Sequence, residues 1–455
     1  MRVTTAFKHL LRLPGVNVRG VVFEKDRVIV TVALRRRRLV CPLCDHSPQA
    51  RYDSSDVDSR WRHLDLGAWR LEIRARLRRL SCPTHGVRVE GVPFARHRSE
   101  FTRDFEDLVA WLAAKTDKSA IEWMLRIAWR TVGAIVQRVV ADELDPERLD
   151  QLFAIGIDEV SWRKQHNYLT LVSNHRSGKV VWGAEGKDTN ACDGFFTELG
   201  KERSARLSAV SMDMGKAFLK SVRKEDHAPQ ATICIDPFHV VALATKALDD
   251  VRRAVWNDMR TLGDKAAKKF KDARWSLMKN PDNLTDKQAV TLRRLKRRGG
   301  DLWRAYRLKE SCRAIFSGDL DPDEVEELLD RLISQAQRSR LEPFVKLAKT
   351  LRDNRDGILA AIRLGINNGR AEGLNNVVRL IARRAYGFHS AEPAIALVML
   401  CCGSITLRCP MGASCDPHRC QENHKYARDA LSCVFKVPRV LLSRRSQGPY
   451  AAPLP

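Results

Sequence analysis

The sequence lacks any long hydrophobic run. No uninterrupted apolar stretch approaches the roughly 18 residues that a membrane-spanning helix requires. The short apolar segment at residues 10–13 is interrupted by Arg12, so it does not form the core of a secretory signal peptide. The sequence therefore predicts a cytoplasmic protein with no membrane partner.

Acidic residues are scarce relative to basic ones. The 455 residues include 55 Asp and Glu against 80 Lys and Arg, which gives a net charge of +25. Such an excess favours a polyphosphate partner or an anionic surface, although basicity alone does not separate DNA from a membrane or the ribosome. The length allows roughly three domains, and we find no internal repeat.

The 12 cysteines are spread unevenly along the chain. In a large intracellular protein, metal ligation is a better expectation for them than a disulfide framework. Cys41 and Cys44 form one C-x2-C pair, and Cys82 and His85 form a second, similar pair. Each pair follows a basic, strand-like segment, the first at 20–33 and the second at 69–80. These four ligands predict a closed, structural zinc site in a domain at 1–95, with His46 and His63 as alternatives to His85.

Residues 96–150 have helical periodicity. A helix that ends before Trp129 is followed after a short break by another, which is the helix-turn-helix pattern. The second helix would place Arg130, Thr131 and Gln137 outward, where they could contact the major groove of DNA. Any three-helix bundle would have the same apolar periodicity, so this pattern alone does not establish DNA binding.

Residues 151–240 predict an α/β (α+β) unit with element order β-β-β-α-β-α-β. Asp158, Asp213 and Asp236 each follow an apolar strand. Open α/β sheets place their active sites at the carboxyl ends of strands, and carboxylates there are suitable metal ligands. An aspartate after a strand is also an ordinary helix cap or turn residue.

Two further segments differ in composition. Residues 241–365 carry helical spacing and no strand signal, which predicts a helical insertion. Residues 401–455 hold half of the cysteines. Four tail residues could hold a metal, but their spacing matches no known knuckle, and we expect a poorly ordered tail. They are Cys415, His418, Cys420 and His424.

A helix is predicted between residues 367 and 387. Its polar residues fall on one face, where Glu372 is followed by Asn375, Asn376, Arg379 and Arg383. Its apolar face is predicted to consist of Leu374, Val377, Leu380 and Ile381. A carboxylate at the head of a basic stripe fits a metal-bound polyanion, and a solvated helix face is the alternative.

The motifs described above, taken in their order along the chain, resemble those of the transposases of the ISL-three family of bacterial insertion sequences. The resemblance runs from about residue 35 to 400 and rests on CPLC, RRLSCPTHG, GIDEVSWRKQHNYLTLV, VSMDM, IDPFHVV and NGRAEGLNNVVRLIARRAYGF. It implies an RNase H-like catalytic domain at 151–400, interrupted by the helices at 241–365. Two features depart from the family: His85 stands where cysteine is more usual, and the tail has no counterpart.

The resemblance also implies a triad of acids, termed DDE. Asp158 corresponds to the first acid and Glu372 to the last. Asp213 is the preferred second acid, with Asp236 as the alternative, and His239 would then belong to a supporting element. Such acids would hold two magnesium ions, or manganese, with Asp158 bridging both.

DNA contacts and assembly follow from the same resemblance. Lys164, Arg379 and Arg383 would contact phosphates, while the amino-terminal modules would select the sequence. The partners would be double-stranded DNA, both element ends and target, bound by a dimer or larger assembly at the bacterial nucleoid. The alternative function is a DNA-binding regulator that descends from a transposase and has lost catalysis.

Overall fold

The amino-terminal part of the chain consists of two small sheets and one helix. The computed structural model describes residues 2–163, 167–261, 273–366, 369–385, 387–407 and 409, with the backbone alone for 369–372. The first elements are α1 (Val3–Leu11), β1 (Val16–Phe23), β2 (Arg27–Leu34), β3 (Asp53–Ser54), β4 (Ser59–Leu66), β5 (Trp69–Ala75), β6 (Arg78–Cys82) and β7 (Gly86–Val89). One sheet has the order β1-β2-β5-β4 and the other β3-β6-β7.

The four-stranded sheet buries one apolar face beneath α1. Alternate side chains of a strand point to the same face, and here that face includes Phe7, Val28, Val30, Leu71 and Ile73. Strands β1 and β2 are joined by a turn in which the Glu24 backbone N–H donates to the Arg27 carbonyl at 2.9 Å. The prediction that residues 20–33 are strand-like is confirmed, and they belong to two strands joined by this turn.

Three helices follow: α2 (Arg103–Ala113), α3 (Lys118–Leu125) and α4 (Trp129–Glu143). The Asp117 carboxylate accepts a hydrogen bond from the Ala120 backbone N–H at 2.8 Å, so it caps the start of α3. Arg126 adopts a left-handed conformation that ends α3 and turns the chain towards α4. The predicted helix, turn and helix are therefore confirmed.

A mixed five-stranded sheet forms the centre of the molecule. Its strands are β8 (Ala154–Arg163), β9 (Asn167–Asn174), β10 (Val180–Glu185), β11 (Ala209–Met212) and β12 (Thr232–Ile235). They lie in the order β10-β9-β8-β11-β12. Strands β8 to β10 form an antiparallel meander, whereas β11 runs parallel to both β8 and β12. The helices α5 (Thr189–Leu199), α6 (Lys201–Ser204) and α7 (Lys216–Val222) complete the predicted element order.

In the region from 237 to 363, helices joined by short turns are the regular structure of the described residues, and no strand occurs among them. Its helices are α8 (Pro237–Thr261), α9 (Arg274–Met278), α10 (Asp286–Arg298), α11 (Gly300–Ile315), α12 (Pro322–Arg338), α13 (Glu342–Asp353) and α14 (Arg355–Arg363). Single 3-10 turns occur at Pro146–Leu149 and Pro281–Asn283. These helices share a core with one side of the central sheet, through residues such as Leu248, Leu302, Phe344 and Ile358.

The last two helices, α15 (Gly369–Arg384) and α16 (Ala391–Cys402), pack with α2 to α4 against the other side of the sheet. One prediction for α15 is wrong, since Leu380 is 44% exposed. The buried stripe instead passes through Val378, Ile381 and Ala385. Successive helical residues are about 100° apart, so Leu380 is rotated away from the stripe that contains Ile381.

Residues 1–407 form one compact unit, which contains every element named above. The helix α16 extends through Cys401 to Cys402, so it crosses the boundary between 400 and 401. The four tail residues considered as metal ligands lie outside the described residues. Within the part of the chain that the structure covers, no helix is long and apolar enough to cross a bilayer.

Candidate active site and metal-ligating residues

Three aspartates lie on or just after neighbouring strands of the central sheet: Asp158 within β8, Asp213 directly after β11 and Asp236 directly after β12. The prediction that Asp158 follows a strand is wrong, because β8 continues beside β9 as far as Arg163. Ser211 pairs with Gly156, and continuing this register by two residues places Asp213 beside Asp158. Met212 pairs with Ile235, so the next residues, Asp213 and Asp236, are also neighbours. Adjacent strands are about 4.8 Å apart. The central sheet therefore gathers three carboxylates along one line across β8, β11 and β12.

Asp158 is half-buried, and each of its oxygens accepts a hydrogen bond. Oδ1 accepts from the Glu159 backbone N–H at 2.8 Å, and Oδ2 accepts from Asn375 Nδ2 at 2.8 Å. Burial raises the pKa of the Asp158 carboxyl, and the nearby Asp213 charge raises it further. The two donors and the His239 ring oppose this rise in pKa. A cation at this position would relieve the repulsion between Asp158 and Asp213.

Glu372 lies on the helix that contacts Asp158. Its backbone is part of α15, three residues before Asn375. Residues three apart on a helix share a face and are separated by about 4.5 Å along its axis. The hydrogen bond from Asn375 to Asp158 therefore brings the segment that carries Glu372 to the edge where Asp158 and Asp213 lie.

Asp213 and Asp236 differ in how their carboxylates are engaged. Asp213 is half-buried in the turn after β11, where Oδ1 accepts from the Gly215 backbone N–H at 2.9 Å. Asp236 is buried, and its Oδ1 accepts from the Phe238 backbone N–H at 3.0 Å at the start of α8. Oδ2 of Asp236 lies 3.9 Å from His239 Nε2. Both carboxylates thus accept from the backbone N–H two residues ahead, and the two residues differ in that Asp236 is more buried and lies beside His239.

A second cluster consists of Cys41, Cys44, Cys82 and His85, whose ligating atoms all lie within 4.8 Å of one another. Cys44 Sγ and Cys82 Sγ are 3.6 Å apart, and His85 Nδ1 lies 3.7 Å from Cys41 Sγ and 3.5 Å from Cys82 Sγ. A tetrahedral zinc ion with ordinary bond lengths would separate two sulfurs by about 3.8 Å, and a sulfur from a nitrogen by about 3.6 Å. The four side chains are therefore spaced as zinc ligands.

Local structure fixes the geometry of this cluster. Cys82 ends β6, and His85 precedes Gly86, whose φ of +70° turns the chain into β7. Burial raises the pKa of the Cys82 thiol, but hydrogen bonds with the backbone of His85 and Thr84 and with the side chains of His85 and Cys44 together lower it to about 6. A thiolate is thus available at Cys82, and thiolates are the form that zinc binds.

The alternative histidines are engaged elsewhere. His63 is buried on β4, where its Nδ1 lies 2.7 Å from Thr102 Oγ1. The His46 backbone carbonyl accepts from the Cys41 N–H at 2.9 Å and so shapes the first knuckle through its main chain. Among the described residues, His85 is the histidine that joins the three cysteines.

The predicted DNA-contacting residues lie on two helices. On α4, Arg130 is exposed, and Thr131 and Gln137 are half-buried. Arg379 and Arg383 are exposed on α15, four and eight residues after Asn375 and so on nearly the same face. Lys164 lies outside the described residues.

Comparison with known proteins identifies the family. Residues 155–398 match a family described as transposase, and residues 90–140 match the helix-turn-helix domain of transposase family ISL3. The transposase for insertion sequence element IS1557, from two Mycobacterium tuberculosis strains, is 41% identical over 433 residues, 88% of this chain and 96% of that protein. The transposase for IS1001 from Bordetella parapertussis is 28% identical over 358 residues, 78% of this chain and 86% of that protein.

The chain belongs to transposase family ISL3. It contains a helix-turn-helix DNA-binding domain and a DDE catalytic domain. Family membership implies nuclease and transposition activity, and DDE transposases use divalent metals.

The sequence predicts Asn375 on the polar face of its helix but does not predict the hydrogen bond from Asn375 to Asp158, which joins residues 217 positions apart. The spacing of three between Glu372 and Asn375 was a usable signal, since it places both on one face. What the sequence did not provide was the packing of that face against β8.

Proposed function

We propose that this transposase binds the terminal inverted repeats of an insertion sequence and catalyses metal-dependent DNA cleavage and strand transfer. The observation that carries the proposal is the proximity of Asp158, within β8, to Asp213, directly after the neighbouring parallel strand β11, with the Glu372 helix joined to Asp158 through Asn375. Three acids from separate elements would thereby meet at one edge of the central sheet.

An RNase H-like catalytic domain is part of the proposal. It is supported by the sheet order β10-β9-β8-β11-β12, in which an antiparallel meander is extended by two strands parallel to its first strand. The described helices between β12 and α15 fit an insertion between the second and third acids of the triad. We propose domains at 1–95 for zinc binding, 96–150 for the helix-turn-helix, 151–400 for catalysis and 401–455 for the tail.

Asp158, Asp213 and Glu372 would hold two divalent cations, magnesium or manganese. Hard carboxylate oxygens suit these ions, and the mutual repulsion of Asp158 and Asp213 favours cation binding. When bound, such a pair activates water or a 3′-hydroxyl and neutralises charge on the reacting phosphate. Asp158 lies between the other elements and is suited to bridge both ions.

Asp213 is proposed as the second acid. It follows the strand adjacent to β8, and its charge raises the pKa of Asp158. Asp236 lies one strand further away and caps α8. His239, next to Asp236, would support the site electrostatically because its ring lowers the pKa of Asp158.

DNA contacts would come from α15 and from the amino-terminal domains. Arg379 and Arg383 continue the face of α15 that begins at the site, so they could track the phosphate backbone away from it. Arg130, Thr131 and Gln137 on α4 would contact the terminal repeat, and the zinc domain would add further contacts. Joining two element ends requires at least a dimer on DNA.

The decisive experiment separates cleavage from binding. The element's inverted repeats can be read from its flanking DNA and synthesised as a labelled duplex. Asp158→Asn and Glu372→Gln should abolish cleavage of that duplex in magnesium, while the binding affinity changes little. Glu327→Gln, at an exposed position of α12, is the matched control and should cleave normally.

Two outcomes would contradict the proposal. If Asp158→Asn or Glu372→Gln still cleaves the duplex, the active-site assignment is wrong. If the unmodified protein binds the repeats tightly but cleaves under no divalent-metal condition, the inactive regulator becomes the better description.

A further inference from the structure

We propose that Asn375 is a positioning residue of the metal site. One end of its side-chain amide fixes Asp158, and the other end would accept a hydrogen bond from a water bound to the cation pair. The inference rests on the proposed function, since it assumes that Asp158 is a metal ligand. It adds a residue outside the three acids, and it assigns separate roles to the two ends of that residue.

The orientation of the Asn375 amide follows from its partner. An ionised carboxylate accepts hydrogen bonds and donates none. The end of the amide that lies 2.8 Å from Asp158 Oδ2 must therefore be Nδ2, which leaves Oδ1 pointing elsewhere. The usual ambiguity between the nitrogen and oxygen of an asparagine does not arise here.

The other end of the amide is buried. Asn375 Oδ1 is inaccessible to solvent and accepts no hydrogen bond from any residue that the structure describes. Leaving a buried carbonyl without a hydrogen bond is destabilising, and such groups are normally paired with protein or ordered water. Magnesium keeps several of its own waters when proteins bind it. A metal-bound water beside Asp158 would supply the missing donor.

Both oxygens of Asp158 are oriented by these contacts. The Glu159 backbone N–H holds Oδ1, and Asn375 holds Oδ2. The plane of the carboxylate is thereby fixed, and each oxygen keeps a second lone pair for a cation. Because Asn375 lies one turn after Glu372, the same hydrogen bond also holds the helix that carries the last acid.

The neighbouring asparagine does not share this arrangement. Asn376 is exposed, and its Oδ1 accepts from Arg379 Nη1 at 3.3 Å. Adjacent helical residues are rotated by about 100°, so only one of the pair can face β8. The roles of the two asparagines are therefore distinct despite their adjacency.

Manganese binding to the full-length, zinc-replete protein without DNA tests the inference. Isothermal titration calorimetry with Mn²⁺ would compare the unmodified protein with Asn375→Leu, which keeps the side-chain volume but removes both polar ends. We expect affinity to fall about 10- to 100-fold, the range typical of residues that orient metal ligands. Asn257→Leu, at an exposed position of α8, should bind Mn²⁺ normally.

A packing role and a positioning role give different results. If Asn375 merely joins the helix to the sheet, Asn375→Leu should alter the metal-free melting temperature but leave Mn²⁺ affinity unchanged, which would overturn the inference. Should Asn375→Leu fail to fold, Asn375→Ser provides the same comparison with a smaller polar side chain. In cleavage assays, Asn375→Leu should raise the magnesium concentration that gives the half-maximal rate. The fold-change in this concentration should exceed the fold-decrease in the rate at saturating magnesium.

Asp158→Asn distinguishes failure of this inference from failure of the proposed function. If Asp158→Asn weakens Mn²⁺ binding and Asn375→Leu does not, the acid site stands and the role of Asn375 is refuted. If Asp158→Asn binds Mn²⁺ as tightly as the unmodified protein, the proposed metal site is wrong and the role of Asn375 is refuted with it.

Discussion

Lys118 Nζ lies 4.1 Å from the centroid of the Trp129 ring, and 4.9 Å from that of Phe388. Lys118 belongs to α3, Trp129 begins α4, and Phe388 follows the helix that carries Glu372. Close by, Arg384 Nη2 at the end of α15 donates to the Thr116 carbonyl at 3.3 Å. The helix-turn-helix is therefore packed directly onto the end of α15, within one apolar core.

The buried ammonium of Lys118 predicts a pH-dependent stability. Lys118 is 4% exposed, and burial lowers its pKa to about 8, whereas the unfolded chain has a pKa of about 10.4. Between these values the unfolded state holds more protons, so stability rises with pH; below them both states are protonated and the contribution is constant. The unmodified protein and Lys118→Met should therefore differ in their free energy of unfolding by an amount that depends on pH. This difference, taken as unmodified protein minus variant, should rise by roughly 2 kcal/mol between about pH 7.5 and about pH 9.5.

Urea unfolding at the two pH values measures this difference. The control is Lys346→Met, at an exposed lysine paired with Glu342 that raises its pKa. A raised pKa means that the stabilising contribution is lost at high pH, so this control should show no rise. If the difference in unfolding free energy between the unmodified protein and Lys118→Met is the same at both pH values, the prediction is wrong.

A buried ion network holds the start of the helix-turn-helix. Arg96 is almost fully buried, and its guanidinium lies 2.8–3.4 Å from the carboxylates of Glu106, Asp107, Asp142 and Glu143. Glu106 is fully buried, so losing Arg96 would leave this carboxylate with less compensation. Arg96→Met should lower the free energy of unfolding by about 3–5 kcal/mol.

The matched control for Arg96 is an exposed ion pair. Arg331 and Glu327 lie one turn apart on α12, with both side chains well exposed. Arg331→Met should change stability by less than about 1 kcal/mol, because solvent screens such pairs. If Arg96→Met and Arg331→Met lower the free energy of unfolding equally in denaturant titrations, burial does not make the Arg96 network more stabilising than an exposed ion pair.

The spacing of the amino-terminal cluster predicts zinc. Elemental analysis of the full chain should find one fewer zinc per molecule in Cys82→Ala than in the unmodified protein, together with a lower melting temperature, since structural zinc contributes directly to folding. Cys234→Ala, at a buried cysteine outside the cluster, should leave the zinc content unchanged. The zinc assignment fails if Cys82→Ala retains the full zinc content.

The order of elements along the chain and the strand ends before Asp213 and Asp236 could be predicted from the sequence, because each depends on local patterns. The same pattern failed at Asp158, where pairing with β9 extends β8 to Arg163. The sequence did not reveal which helix faces pack together. The exposed Leu380 and the buried Val378 illustrate this point, since both are apolar and only the packing of α15 decides which of them is buried.

The zinc ligands could be predicted from the sequence more completely than the contacts of the polar helix face. Cys82 and His85 are close in sequence, so their spacing alone indicated a knuckle. His63 remained an alternative because its contact with Thr102 is made in the folded state. The role of Asn375 depends on a contact across 217 residues, and no local pattern encodes such a contact.

The two candidate second acids can be separated by one pair of substitutions. Asparagine is as good a helix cap as aspartate, so Asp236→Asn should keep the cap of α8 and fold normally, with cleavage reduced but measurable. Asp213→Asn removes the carboxylate beside Asp158 and should abolish cleavage of the terminal-repeat duplex as completely as Asp158→Asn. The relevant measurement is single-turnover cleavage in magnesium, with duplex binding as the folding control. If Asp236→Asn is inactive while Asp213→Asn still cleaves, the second metal ligand follows β12 and the acid after β11 is a turn residue.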